Sequence, residues 1–274
     1  MLARNIPDTP YSDAIGPYPL LCCQDWTALA DDLEGEGGEL ITMTAVSDPL
    51  APASLSLLKQ AFPDLVLPYK EHFVAELKGL AAAVDKRHIR KARRALESVT
   101  VERVERPASA LDDWTQLYAS LVRKHGIVGL SAFSRASFAR QLEVPGAVLY
   151  RAVENGQAVA ATFWFVDGEQ AYYHLGASSD RGYELGASFA LMWVALNAFA
   201  EQGVGVVLLG AGAGVYNDGS DGLSRFKAGW ATGTRQSYLC GRIFNPAVYR
   251  QLNGARSSGE TTYFPAYRAH LAGL

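Results

Sequence analysis

Residues 170–210, QAYYHLGASSDRGYELGASFALMWVALNAFAEQGVGVVLLG, carry the strongest signal of architecture in the chain. QAYYHLGAS is aromatic and apolar, followed by turn residues, which reads as a strand. Residues 187–200 are almost wholly apolar. They are too few to cross a bilayer and include Ser188 and Asn197, so they read as a buried core helix. Gly203 stands where a glycine closes a helix, and VGVVLLG supplies the next strand.

On either side, strands are expected at VTVERVE, AVLYRAVENG, AVAATFWFVDG and TRQSYLCG. Helices are expected at ALDDWTQLYASLVRKHG, SRASFARQLE and DGLSRFKAGW. Glu154-Asn155-Gly156 and Asp167-Gly168 are hairpin turns between alternating apolar runs. The order from residue 98 is β-α-α-β-β-β-α-β-α-β. This is an α/β (α+β) mixed sheet with hairpin-linked middle strands and helices on both faces, unlike the alternating order of a dinucleotide fold. Residues 1–97 read as a shorter α/β unit, with strands near PLLCC, GELITMTAV and LVLPYKEHFVAEL and helices near DWTALADDLE and SLSLLKQAF. Residues 98–274 form the larger half.

Composition excludes some classes. The chain has 274 residues and a net charge of −3, so any nucleic acid or anionic membrane would have to meet a local patch. The N-terminus lacks a secretory apolar core, and a cytoplasmic, soluble protein without a membrane span is expected. Cys22, Cys23 and Cys240 lack zinc or redox spacing and read as reduced, buried small apolar residues. The five histidines show no metal-ligand pairing, so no metal is expected.

Four motifs carry chemistry. In LLGAGAGVYNDG the glycines miss the dinucleotide spacing, because Val215 stands where the third belongs. They read instead as a place where the backbone opens for a ligand or a close helix. KRHIRKARR (86–94) reads as an amphipathic helix with Ile89, Ala92 and Leu96 inward. It is either a solvated face or an anion site for phosphates of coenzyme A or tRNA. In AYYHLGA, alternation puts Tyr172, His174 and Gly176 on one face and Tyr173, Leu175 and Ala177 on the other. His174 is either a satisfied core residue or a general base. In SSDRGYELGAS, Gly182, Gly186 and Ala187 bare the backbone at a helix start with Arg181 at its mouth, either a plain cap or an anion site.

Together, YYHLGAS, ELGAS, LLGAGAG and GLSRFKAGW resemble the GNAT acyltransferases, and specifically the FemAB-like branch of tandem GNAT-like folds. Phe226 to Trp230 is the most specific piece, and KRHIRKARR is similar to the basic helix these proteins carry between halves. The branch includes peptidoglycan bridge-forming aminoacyltransferases. The resemblance implies two GNAT-like halves and an N-acyltransferase moving an acyl group from acyl-CoA, as co-substrate, to an amine of a small molecule or cell-envelope precursor. The alternatives are an aminoacyl-tRNA-dependent transferase and a non-catalytic GNAT-like binding protein. By carry-over, His174, Tyr172 and Lys227 would be catalytic. Arg181, Gly182, Gly186, Ala187 and Arg225 would hold the donor. A Lys227 at the site mouth would affect rate or affinity on truncation, not stability. The chain departs from the pattern at Glu184, where a glycine is expected, and lacks the long helical arm of the bridge-forming enzymes.

Overall fold

The computed structural model describes residues 1–17, 19–36, 39–51, 53–212, 221–256 and 262–272. It divides into two compact units: residues 1–71 with 235–274, and residues 72–234. The division expected at residue 97 therefore falls inside the second unit. The last strand and the C-terminal residues return to the first. Sequence hides this because a strand continues without a break from one unit into the next.

In the first unit, β1 (Leu2–Asn5) pairs antiparallel with β2 (Ser12–Ile15), which runs parallel to β3 (Leu40–Val46). Helices α1 (Leu29–Gly35) and α2 (Leu55–Ala61) bury Leu29, Leu33 and Leu58 around Met43. The Ser54 side chain caps α2 by accepting from the Leu57 amide. PLLCC is not a strand; Leu21 makes one isolated bridge to Ser47. Cys240 is buried, and burial pushes its thiol up to about 12. Cys22 is exposed, contrary to expectation.

The chain enters the second unit along β4 (Leu65–Glu76), then forms α3 (Leu80–Ala83), α4 (Lys86–Leu96) and β5 (Thr100–Val104). Next come α5 (Leu111–His125), α6 (Arg135–Gln141), β6 (Ala147–Glu154), β7 (Gln157–Asp167) and β8 (Gln170–Ser178). The unit closes with α7 (Asp180–Leu185), α8 (Ala187–Glu201), β9 (Val206–Gly210) and α9 (Gly222–Ala228). The chain leaves along β10 (Gly233–Ile243) and ends in α10 (Pro246–Arg256) and a 3₁₀ segment, Ala266–Ala272. Within the first unit β10 lies antiparallel to β3.

In the second unit, β5 to β8 are successive antiparallel neighbours, β8 runs parallel to β9, and β9 lies antiparallel to β4. Both faces of this sheet are covered. On one, α4 and α8 close over Trp164, Leu191, Phe199 and Trp230. On the other, α5 and α6 close over Trp114, Phe138 and Phe163. The order expected from residue 98 is present, with α7 added between β8 and α8.

Two local readings change. In α4 the buried positions are Ala92 and Ala95, while Leu96 is exposed. Small residues are used there because α4 packs closely on α8 within the second unit. In β8 the alternation breaks at His174. Phe163 pairs with Leu175 and Trp164 with Tyr173, leaving His174 as the extra residue of a bulge. Leu175 and Ala177 therefore join His174 on the α5/α6 side, and Tyr173 faces the α4/α8 side.

Candidate functional site

The parallel pairing of β8 with β9 covers only Gln170–Tyr172 against Val206–Leu208. Beyond it β8 continues to Ser178 and β9 to Gly210, and no ladder joins these ends among the described residues. Unpaired backbone at such an opening is able to receive an extended ligand.

Lys227 sits beside the end of β9. Asp221 caps α9 by accepting from the Leu223 and Ser224 amides, which sets the helix's start. Lys227 then points inward. It is only 7% exposed, and its Nζ donates to the Ala211 carbonyl at 2.6 Å. A Cβ at Gly210 would lie 3.0 Å from that nitrogen, so glycine leaves room for the ammonium. The Tyr173 ring centroid is 5.9 Å away. The Tyr173 hydroxyl lies where Gly176 would carry its Cβ, and burial raises the phenol's pKa, keeping it protonated. Lys227 and Tyr173 thus face one region with two proton donors. Strand alternation already sets Tyr173 on the face opposite Tyr172 and His174, and it is Tyr173's face that Lys227 meets.

The other expected catalytic residues lie elsewhere. His174 packs among Phe133, Phe163 and Phe165 on the α5/α6 side, with Nε2 donating to Oε1 of Gln141 at 2.8 Å. Desolvation pushes its pKa down to about 4. Tyr172 donates to Oε1 of Gln170 at 2.9 Å. The structure does not bring His174 and Lys227 together, because they occupy opposite faces of the sheet.

The expected donor-binding residues form a well-satisfied corner. Arg181 grips Glu154 through Nε (2.9 Å) and Nη2 (2.6 Å) and reaches Glu184 through Nη1 (3.0 Å). These carboxylates raise its pKa further. The Gly182 amide donates to Ser179 Oγ, and a Cβ at 182 would overlap the Val159 carbonyl. Gly186 has φ +65°, which lets the chain end α7 and begin α8 in one residue. Ala187 is fully buried. Arg225 is exposed on α9. The run LLGAGAGVYNDG ends beyond Gly212, outside the described residues.

The Phe-Lys-x-Gly-aromatic ending now has physical content. Phe226 and Trp230 pack around His88 of α4, at 6.1 and 5.2 Å between ring centroids. Gly229 lies against the imidazole, and its carbonyl accepts from the Asp85 amide at 3.0 Å. No sequence signal marks His88 as a functional candidate, since Gly229 lies some 140 residues away.

A mixed sheet, opened between two parallel strands and covered on both faces, is a GNAT-like fold. Residues 84–218 match the acetyltransferase (GNAT) domain family, a match that stops before Lys227. Across the chain, the structure of FemX is similar with a TM-score of 0.69 at 14% identity, covering 91% of this chain and 85% of that one. The C-terminal domain of a protein described as a putative lysylphosphatidylglycerol synthetase from Agrobacterium fabrum follows at 0.58 and 16%, covering 80% and 72%. L-PGS from Bacillus licheniformis is similar at 0.52 and 16%, covering 76% and 69%. These likenesses show the fold. No curated protein matches the chain in sequence. No helix among the described residues is long and apolar enough to cross a membrane.

Proposed function

We propose that the chain is a cytoplasmic N-acyltransferase that moves an acyl group from acyl-CoA to an amine of a small molecule or a cell-envelope precursor. The observation that carries this reading is the buried Lys227 ammonium beside the open ends of β8 and β9, with Tyr173 facing the same region. Attack of an amine on an acyl carbonyl forms a tetrahedral oxyanion, and a fixed cation in a water-poor site stabilises that charge. The new C–N bond forms as the bond from the carbonyl to the leaving thiolate breaks, and the amine proton leaves with solvent or the thiolate.

One observation favours a second donor, an aminoacyl-tRNA ester. Arg181, the cation expected to meet the coenzyme A pyrophosphate, is held by Glu154 and Glu184, and a diphosphate there would meet two carboxylates. The deciding experiment offers acetyl-CoA or charged tRNA with a panel of amines and reads the acylated product by mass spectrometry. Product from acetyl-CoA that is lost in Lys227→Met supports the first reading. Product from charged tRNA alone supports the second. Ligand-induced stabilisation without product from either leaves a binding protein.

A further inference from the structure

We infer that His88 is a positioning residue for Lys227: its imidazole, wedged against Gly229, fixes the turn in which α9 ends. The inference rests on the proposed role of Lys227, and adds that the basic helix α4 holds the site's cation in place.

Three observations converge on this contact. The first is steric. A Cβ at residue 229 would overlap three atoms of the His88 ring, so ring and backbone are in face contact. Gly229 is two residues beyond Lys227, and the Trp230 amide closes the same turn by donating to the Lys227 carbonyl at 3.0 Å. A shift of the ring is therefore felt at Lys227 through two peptide units.

The second is the anchoring of α4. Asp85 caps the helix by accepting from the Arg87 amide at 2.7 Å, while its own amide donates to the Gly229 carbonyl. Ala92 and Ala95 are buried on the same side. The helix is thereby joined to the α9 turn by a backbone hydrogen bond and a ring contact one turn apart.

The third is chemical. Among the described residues neither nitrogen of His88 finds a directed hydrogen-bond partner, although both are buried. Burying such groups without partners costs stability relative to an apolar ring. Phe189 packs edge-on at 5.0 Å, alongside Phe226 and Trp230. Burial lowers the imidazole's pKa, opposed by Asp85 at 4.0 Å and the Phe226 carbonyl and assisted by Lys91 and Arg87. The ring is thus neutral at ordinary pH. A flat five-membered ring fits the face of Gly229, and shape is what the site uses.

The test reads Lys227 directly, so that it does not depend on the acyl-transfer reading. Competitive labelling with acetic anhydride, with each lysine's product read by peptide mass spectrometry, reports accessibility in the intact protein. His88→Ala should raise Lys227 labelling by about threefold or more, since local opening exposes the amine. His88→Phe, which keeps a ring, should leave it closer to wild type than His88→Ala does. Gly229→Ala should raise it too, and His88→Ala added to Gly229→Ala should relieve part of that rise by removing the overlap. Lys70, half-buried in the other unit, is the internal reference. Unchanged Lys227 labelling in His88→Ala overturns the inference, and so does a rise matched by Lys70, which would mark general unfolding. Where wild-type transfer is measurable, His88→Ala should lower kcat and leave KM near its starting value. A failure of transfer in wild type would sink the reading of the reaction and leave the labelling result standing.

Discussion

Truncating Lys227 to Ala removes a cation from the end of β9 and strips the Ala211 carbonyl of its donor. In a transferase, loss of one oxyanion-stabilising group lowers kcat by about 10²–10³-fold. By the motif, Lys227 stands at the site mouth, where truncation would cost no stability. The fold changes that: Lys227 is itself buried, and leaving the part-buried Ala211 carbonyl without its donor costs up to about 1–3 kcal/mol. Lys227→Arg should retain more stability than Lys227→Ala, and both Tm and single-turnover rate check the split. His174 makes a different prediction. Its folded pKa of about 4 lies below the unfolded value near 6.5. Between these values the unfolded chain binds more protons, so stability rises with pH and is lost as pH falls from 6.5 toward 4. His174→Gln should flatten that dependence in urea melts at about pH 7 and pH 5. An unchanged slope would remove His174 as its source.

Among the elements, the β8–α7–α8 corner is legible in sequence as a tight helix start but not as a filled one. Ser179 caps α7, and Ser179→Ala should cost about 1 kcal/mol. Gly182→Ala should cost more, because its methyl meets the Val159 carbonyl in a backbone that cannot swing aside. Chemical denaturation of both variants checks the order. Arg181→Glu, the change that would weaken a bound pyrophosphate, places a third carboxylate beside Glu154 and Glu184. If acyl-CoA binds in this corner, calorimetry should show weaker binding in that variant. If the corner is only structural, acyl-CoA affinity should be unchanged.

In the molecule as a whole, the first unit is closed by its own C-terminal segment. Asp13 is fully buried and receives Arg268 Nε at 2.5 Å, Arg268 Nη2 at 3.0 Å and Tyr267 at 3.0 Å. Tyr267 also meets Thr42 at 2.8 Å. Removing one partner of a buried pair costs up to about 3–5 kcal/mol, but Arg4 Nε also donates to Asp13 Oδ1 at 3.0 Å and leaves the carboxylate partly compensated. Arg268→Met should therefore lower Tm, and Asp13→Asn with Arg268→Met should be less harmful than the sum of the two. A double-mutant cycle by thermal melting checks this. Additive losses would mean that the pair carries little of the unit's stability.

Sequence alone was enough for the order of elements after residue 98 apart from α7, for the buried helix at 187–200 and for the hairpin turns. Each depends on local periodicity or turn chemistry, which a chain cannot hide. The GNAT-like class and the choice of Lys227 came from motifs, by resemblance. The choice of the tyrosine that accompanies that lysine needed the folded structure, because alternation separates Tyr172 from Tyr173 but does not say which face Lys227 meets. The same holds for Arg181 held by Glu154, the return of β10 to the first unit, and His88 against Gly229. These depend on groups far apart in sequence meeting within atomic contact. Contacts of that kind are set by how layers pack, and local preference carries no information about them.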